Sequence, residues 1–423
     1  MYRKFSANCI FNGYEFLYNH VLITDTTGVI VEVIAENEAG DDVEKLNGIL
    51  CPGFINAHCH LELSHLKGLI PKQTGLVDFI LKIVNKRHLA YRQAGFEETE
   101  IWAAIENAEN EMLQNGIVAV GDICNNTLTI PQKSKGKLQY HNFIEASGFI
   151  PALAKDRFDT SVSILEKYLA TYNPPDPVDK QRTTDKGQPT GSCGRATITP
   201  HAPYSVSPEM FGMINSVPGN NLLTIHNQET AAENEFFEKR TGDLLRLYQQ
   251  MGIDISFFKP SGKTSLKTWL PYFTKEQTII LVHNVFTSAE DLSFLKLSTF
   301  SRNHSGQLST FLCLCPNANL YISNTLPDIQ MLMQHTDDFV LGTDSLASND
   351  QLSILEEIKI LQNNFKELKL ATLLQWATSN GSRALQIDNK LGSFNKGKQP
   401  GIILMEGVED LRTDNNTSVK RIL

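Results

Sequence analysis

Five histidines and one aspartate stand at one kind of place in this chain, just past a short apolar run. His58 and His60 follow Phe54–Ala57, His201 follows Ala196–Thr199, His226 follows Leu222–Ile225, His283 follows Ile279–Val282, and Asp344 lies beyond Phe339–Leu341. A lone histidine after a strand is more often a satisfied rim residue than a ligand, so the weight rests on the repetition. His58 and His60 are two apart, which on a strand sends both imidazoles to one face and Cys59 to the other. With two further histidines and an aspartate from other strand ends, the set supplies N and O donors suited to Zn²⁺ or Fe²⁺. Cys51, Cys59 and Cys124 read instead as buried small apolar residues.

Such donors meet only if the strand ends converge. Between residues 53 and 341, eight apolar runs alternate with helical patterns at Leu76–Arg92, Thr99–Gln114, Val162–Tyr172, Ala231–Met251 and Ser288–Leu297. This alternation predicts a (β/α)8 barrel, whose strand C-termini share one mouth. Residues 1–51 carry only short strand patterns, and strand texture returns at 391–423 after a last helix over Leu368–Ala384. The expected organisation is a catalytic barrel over 52–390 and a small β domain built from 1–51 plus 391–423. The polar stretch Pro174–Ser192 reads as a long exposed loop.

Composition narrows the function classes. The chain has 423 residues, 41% hydrophobic and 20% charged, with a net charge of −9. It can fill a large core, and its mild acidity offers no footprint for nucleic acid or for an anionic membrane. No apolar run approaches the ~18 residues of a membrane span. Seven cysteines without a C-x-x-C pair fit a reducing compartment, so a cytoplasmic protein is expected.

The motif Pro52-Gly53-Phe54-Ile55-Asn56-Ala57-His58-Cys59-His60 resembles the first-strand motif of the amidohydrolase superfamily. Thr199-Pro200-His201-Ala202-Pro203-Tyr204-Ser205, His226-Asn227-Gln228-Glu229, Leu281-Val282-His283-Asn284 and Leu341-Gly342-Thr343-Asp344-Ser345 follow in family order. The set is most similar to the deaminase and chlorohydrolase branch, which includes S-adenosylhomocysteine/adenosine deaminases, aminofutalosine deaminases and triazine hydrolases. The resemblance implies a distorted TIM barrel with a β-sandwich assembled from both termini. It implies one divalent metal per chain, Zn²⁺ ahead of Fe²⁺, held by His58, His60, His226 and Asp344. The bridging lysine of binuclear members is absent, because the fourth strand leads into Pro200-His201. Glu229 takes the place of the branch's proton shuttle, His283 orients the attacking water, Asp344 also takes its proton, and His201 contacts substrate. Exposed barrel helices in this superfamily commonly mediate homo-oligomers.

Three stretches depart from the family pattern: Asp344-Ser345, Gly397-Lys398-Gln399-Pro400-Gly401 and Cys315-Pro316-Asn317-Ala318-Asn319. They bear on the pocket wall and the sandwich, hence on the substrate. Glu62 and His65 read as loop residues, and Glu233 and Glu235 as a solvated helix face. The implied activity is metal-dependent hydrolytic deamination of an aminated heterocycle of purine, nucleoside or pterin type, with attack by metal-activated water. The alternative on the same apparatus displaces chloride or an alkylamine, or opens a cyclic amide. A metal-free scaffold has no physical need for His58, His60, His226, Glu229, His283 and Asp344 together.

Overall fold

The structure, a computed structural model, describes residues 2–92, 98–172, 195–274, 276–299 and 308–423. Its centre is eight parallel strands: β1 (Phe54–Cys59), β2 (Ile117–Cys124), β3 (Gln139–Ala146), β4 (Arg195–Pro200), β5 (Leu222–Asn227), β6 (Thr278–His283), β7 (Ser309–Leu314) and β8 (Phe339–Leu341). They form two four-stranded sheets, β1 to β4 and β5 to β8, each in sequence order. The sheets close on each other in two different ways. Between β8 and β1 there is a parallel bridge, Cys59 to Asp344. Between β4 and β5 threonine side chains do much of the bonding: Thr197 Oγ1 donates to Leu222 O at 2.7 Å, and Thr224 N donates to Thr199 Oγ1 at 2.8 Å. This seam makes the barrel a distorted one.

Buried apolar side chains on the strands fall into two sets, as alternation requires. Ile55, Ala57, Phe143, Ile280, Val282 and Val340 belong to one cluster. Phe54, Cys59, Ile198, Leu281 and Leu341 belong to another, together with helix residues such as Ile101 and Ile105. On β1 the parity changes between Ala57 and Cys59, and the register with β2 shifts between Asn56 and Cys59. That irregularity brings the even-numbered pair His58 and His60 to the side that Ile55 and Ala57 occupy on odd positions before them.

Both chain ends build two further sheets. Tyr2–Ser6, His20–Asp25, Ile30–Ala35 and Glu44–Lys45 make one; Cys9–Phe11, Phe16–Leu17, Ile49–Pro52, Ile402–Glu406 and Ser418–Arg421 make the other. Ile402–Glu406 pairs antiparallel with Ile49–Pro52, so the two termini meet across one ladder. Phe5, Ile10, Leu22, Leu50, Ile402 and Leu404 fill the space between the sheets, a small β-sandwich. Cys51, Cys59 and Cys124 are buried free thiols, as expected.

Two expectations change. The single helix over 231–251 is two helices, Ala231–Lys239 and Leu244–Gln250. Arg240 ends the first in a left-handed cap at φ +55°, its N–H donating to Phe236 O at 2.8 Å, and Gly242 follows at φ +88°. The stretch Leu368–Ala384 is helical from Leu370, but with a π turn over Trp376–Asn380. Pro174–Ser192 lies outside the described residues. No helix among the described residues is long and apolar enough to cross a membrane.

Glu357, on the helix Ile354–Asn364, ties the loop after β8 to the turn after β7. Its carboxyl accepts Asn317 N–H at 2.9 Å and Asn349 Nδ2–H at 2.9 Å. Burial pushes it up to about 8 from its ordinary value of 4.5. Over that interval the unfolded chain gives up a proton that the folded chain keeps. The stabilising contribution is therefore whole below pH 4.5 and lost as pH rises to about 8. Glu357→Gln should flatten the fall in melting temperature between pH 5 and 8. It should also lower stability by about 1–3 kcal/mol, because the new NH₂ faces a donor. Melting curves across that range with an unchanged slope would contradict this.

Candidate active site

The mouth of the barrel is where the chain reverses after each strand, and several of these turns are left-handed. Gln228, His283, Asn284 and Asp344 have φ of +47°, +75°, +57° and +56°. Non-glycine residues in this region carry local strain, and such residues cluster at functional sites. Asn284 offsets part of it by donating from Nδ2 to Leu281 O at 2.8 Å.

His58, His60, His226 and Asp344 meet here, with one ligand atom from each lying within 4.8 Å of every other. His60 Nε2 is 3.2 Å from His58 Nε2 and 3.3 Å from Asp344 Oδ1, and His58 Nε2 is 3.6 Å from the same oxygen. Donors arranged tetrahedrally at about 2.1 Å from a Zn²⁺ lie about 3.4 Å apart. The observed separations match that spacing. The contacts are not ion pairs at neutral pH. Burial, reinforced by neighbouring histidines, holds His58 and His60 well below the ordinary imidazole value, and burial lowers His226 as well. Three neutral imidazoles and a carboxylate turning lone pairs on one point suit a divalent cation, and the four residues make a metal site. His226 Nδ1 donates to His201 O at 2.8 Å, which fixes the tautomer that leaves Nε2 open toward the site.

Close packing supports this geometry. A Cβ on Gly342 would stand 2.8 Å from His58 Cβ, so only glycine lets β8 approach β1 here. Asp344 Oδ2 accepts from Ser348 Oγ at 2.6 Å, leaving Oδ1 to the histidines. Burial works to raise the Asp344 carboxyl, but His60, His283, Ser348 and His226 outweigh it and keep the group below its ordinary value.

Glu229 and His283 stand beside the four donors. Glu229 Oε1 is 3.7 Å from His283 Nε2. Burial, with the charges of Asp344 and Glu233 added, pushes Glu229 well above the ordinary carboxyl range. Asn319 Nδ2 lies 3.0 Å from His283 Nδ1 and sets the plane of that ring. With the amide so oriented, the His283 proton sits on Nε2, facing Glu229.

Glu229, His283, His201, His60, His226 and Asp344 all line one cavity of about 300 Å³. Its polar edge adds Glu145 and Asn125, with Asn125 Nδ2 donating to Glu145 Oε2 at 2.7 Å. His201 is set by Ser205 Oγ, 2.8 Å from Nδ1, and by Glu145 Oε1, 4.0 Å from Nε2. The remaining wall is mostly apolar, including Leu76, Phe79, Ile80, Leu247, Met251 and Ile253, but it also carries Arg157, Ser147 and Ser345. Glu145, His201 and His226 also cluster within ligand reach of one another. That trio cannot act apart from the first site, because His226 Nδ1 is engaged and its Nε2 serves the other set.

Every residue singled out in the sequence for chemistry thus lies at this mouth. Glu62, read as a loop residue, is buried and accepts Asn125 N–H at 2.9 Å through Oε2. Glu233, read as solvated, is buried and accepts Gln228 N–H at 3.0 Å, bracing the turn that carries Glu229. Asn319, Ser348, Glu145 and Asn125 were not anticipated. Of these only Asn319 had a signal, its place in Cys315–Asn319.

A family model described as amidohydrolase family matches residues 49–421. The chain belongs to the amidohydrolase family and is a hydrolase of that family. It is 27% identical over 348 residues to an adenosine deaminase of Helicobacter pylori, covering 81% of this chain and 76% of that protein. It is 24% identical over 404 residues to a 5′-deoxyadenosine deaminase of Methanosphaera stadtmanae, covering 91% and 80%. Among solved structures, Helicobacter pylori aminofutalosine deaminase in complex with methylthio-coformycin superposes over all of both chains with a TM-score of 0.77 at 21% identity. An atrazine chlorohydrolase of Arthrobacter aurescens complexed with zinc gives a TM-score of 0.71 at 16% identity, over 97% of this chain and 89% of that one.

Removing a ligand should be felt directly. His60→Ala should weaken zinc binding by more than the ~10–100-fold typical of losing a partner of a ligand. Competition against a chelator of known affinity checks this, and unchanged zinc affinity would remove His60 from the site.

Proposed function

We propose that this protein is a hydrolytic deaminase of adenine-type nucleosides, using one divalent ion, Zn²⁺ ahead of Fe²⁺, on His58, His60, His226 and Asp344. The observation that carries the reading is geometric. A buried acid–histidine pair, Glu229 and His283, faces the same cavity as three of the four donors, His60, His226 and Asp344. The adenosine and 5′-deoxyadenosine deaminases among the relatives support the nucleoside assignment.

When bound, such an ion lowers the pKa of a water toward neutrality. Asp344 takes the proton of the attacking water, and His283 orients it by donating from Nε2. Glu229 protonates the ring nitrogen next to the carbon under attack, regains a proton from the hydroxyl of the tetrahedral adduct and passes it to the departing amine, and the water proton held by Asp344 then restores the Glu229 acid. A C–O bond forms, the exocyclic C–N bond breaks, and ammonia and a ring carbonyl result. Proton transfer of this kind contributes roughly 10²–10⁴ in rate.

The cavity sits at the small end of the ~300–1,000 Å³ range of ligand pockets. Its polar edge of Glu145, Asn125 and His201 suits sugar hydroxyls, and its apolar wall suits an uncharged group at the 5′ end.

Ammonia release should therefore be found with adenosine or a 5′-deoxy or 5′-alkylthio relative, and be weak with guanine or aminated pterins. Release only from a base or a pterin would contradict the nucleoside reading. Chloride release from a chlorinated ring, with no ammonia from any aminated one, would contradict deamination itself. Glu229→Gln should keep zinc and substrate binding while lowering turnover by at least about 10²-fold. Near-normal turnover in that variant would refute the proton-transfer role.

A further inference from the structure

Behind the metal site lies a buried ion pair that the proposed mechanism does not use. Asp122 on β2 and Lys133, the last residue of the helix Ile130–Lys133, both have fully buried side chains, with Nζ 2.5 Å from Asp122 Oδ2. Lys133 is held on other sides too: Nζ is 2.7 Å from Asn142 Oδ1 and 3.3 Å from Cys124 Sγ, and it faces the rings of Tyr140 and Tyr168. The second oxygen of Asp122 accepts Leu61 N–H at 2.8 Å. Leu61 immediately follows His60, where β1 ends and a tight 3₁₀ turn over Leu61–Leu66 begins.

Stability alone is a poor reason for this arrangement. Burying two charges costs several kcal/mol per ion, and well-packed apolar replacements are often neutral or stabilising. What the pair does supply is a fixed acceptor at one backbone position. Asp122 Oδ1 holds the peptide between His60 and Leu61, and Lys133 pins the carboxylate so that it cannot rotate away. His60 is the ligand with the shortest contacts in the set, 3.2 Å to His58 and 3.3 Å to Asp344. It also lies one residue past β1, where its backbone is held by the Asp122 contact at the following peptide and by Leu63 N–H donating to His60 O at 3.1 Å.

We propose that Asp122 is a positioning residue for the metal site, fixing His60 through the Leu61 peptide, while Lys133 neutralises its buried charge. The proposal rests on the four-donor site and not on the leaving group, so it stands or falls separately from the deaminase reading.

Two double variants isolate the acceptor. Asp122→Asn with Lys133→Met removes both charges but keeps an amide oxygen for Leu61 N–H. Asp122→Leu with Lys133→Met removes the charges and the acceptor at similar volume. Zinc alone is the probe, read by chelator competition, with the melting temperature of the metal-free protein measured alongside. The Asn variant should bind zinc within about threefold of the unaltered chain. The Leu variant should bind at least about tenfold more weakly, in the range seen when a ligand loses its supporting bond, while the two metal-free melting temperatures stay close. Equal zinc affinity in the two variants, strong or weak, would overturn the proposal. If the Leu variant does not fold, Asp122→Ala with Lys133→Met takes its place as the variant without the acceptor, read against the same thresholds.

Discussion

The contact on which the site depends is the closure of the barrel between its first and last strands. Thr343 N and Asp344 N both donate to His58 O at 3.1 Å. The Asn56 side chain locks the same junction, accepting Thr343 N–H at 3.0 Å and donating to Thr343 Oγ1 at 2.7 Å. The carboxylate of Asp344 is thereby brought to the two first-strand histidines from the far end of the chain. If this seam opened, the four donors would separate into a pair of histidines, a single histidine and a lone carboxylate. None of these is a site by itself. Catalytic function is in this sense a property of the closed barrel, and Gly342 and Asn56 serve it although neither is a donor.

Within the closed mouth, one environment pushes two carboxyls in opposite directions. Asp344 is surrounded by imidazoles and a serine hydroxyl that favour its charge, whereas Glu229 is buried with Asp344 and Glu233 near enough to oppose its own. Two carboxyls of like chemistry are thus pushed apart, Asp344 toward its charged form and Glu229 toward its protonated form. A separation of this kind is how acid and base roles are divided at one pH. The proposed deamination uses it directly, because one group must accept a proton while the other gives one.

The sequence made the barrel, its mouth and the six chemical residues legible because each depends on local pattern. Alternation of strand and helix signals the barrel, and position after an apolar run signals the mouth. Other features depend on contacts between distant segments and carry no local mark. His58 and His60 share a face by strand periodicity, but they take the side that Ile55 and Ala57 occupy before them only because of a register shift against β2, which periodicity does not reveal. Arg240 breaks a helix whose apolar periodicity runs on through it, because the break lies in its left-handed backbone. Glu62 and Glu233 look like surface residues until Asn125 N–H and Gln228 N–H are seen to need them. Asp122 and Lys133 are both charged residues in unremarkable stretches, and only the fold brings them together.

The central claim is that three imidazoles and one carboxylate, with no thiolate, hold the ion. X-ray absorption at the zinc edge of the metal-loaded protein tests it most directly. The account predicts nitrogen and oxygen scatterers at about 2.0–2.2 Å, with the outer-shell pattern of imidazole rings. A sulfur shell at about 2.3 Å would place the ion on the cysteines near β1 and β2 instead and would contradict it.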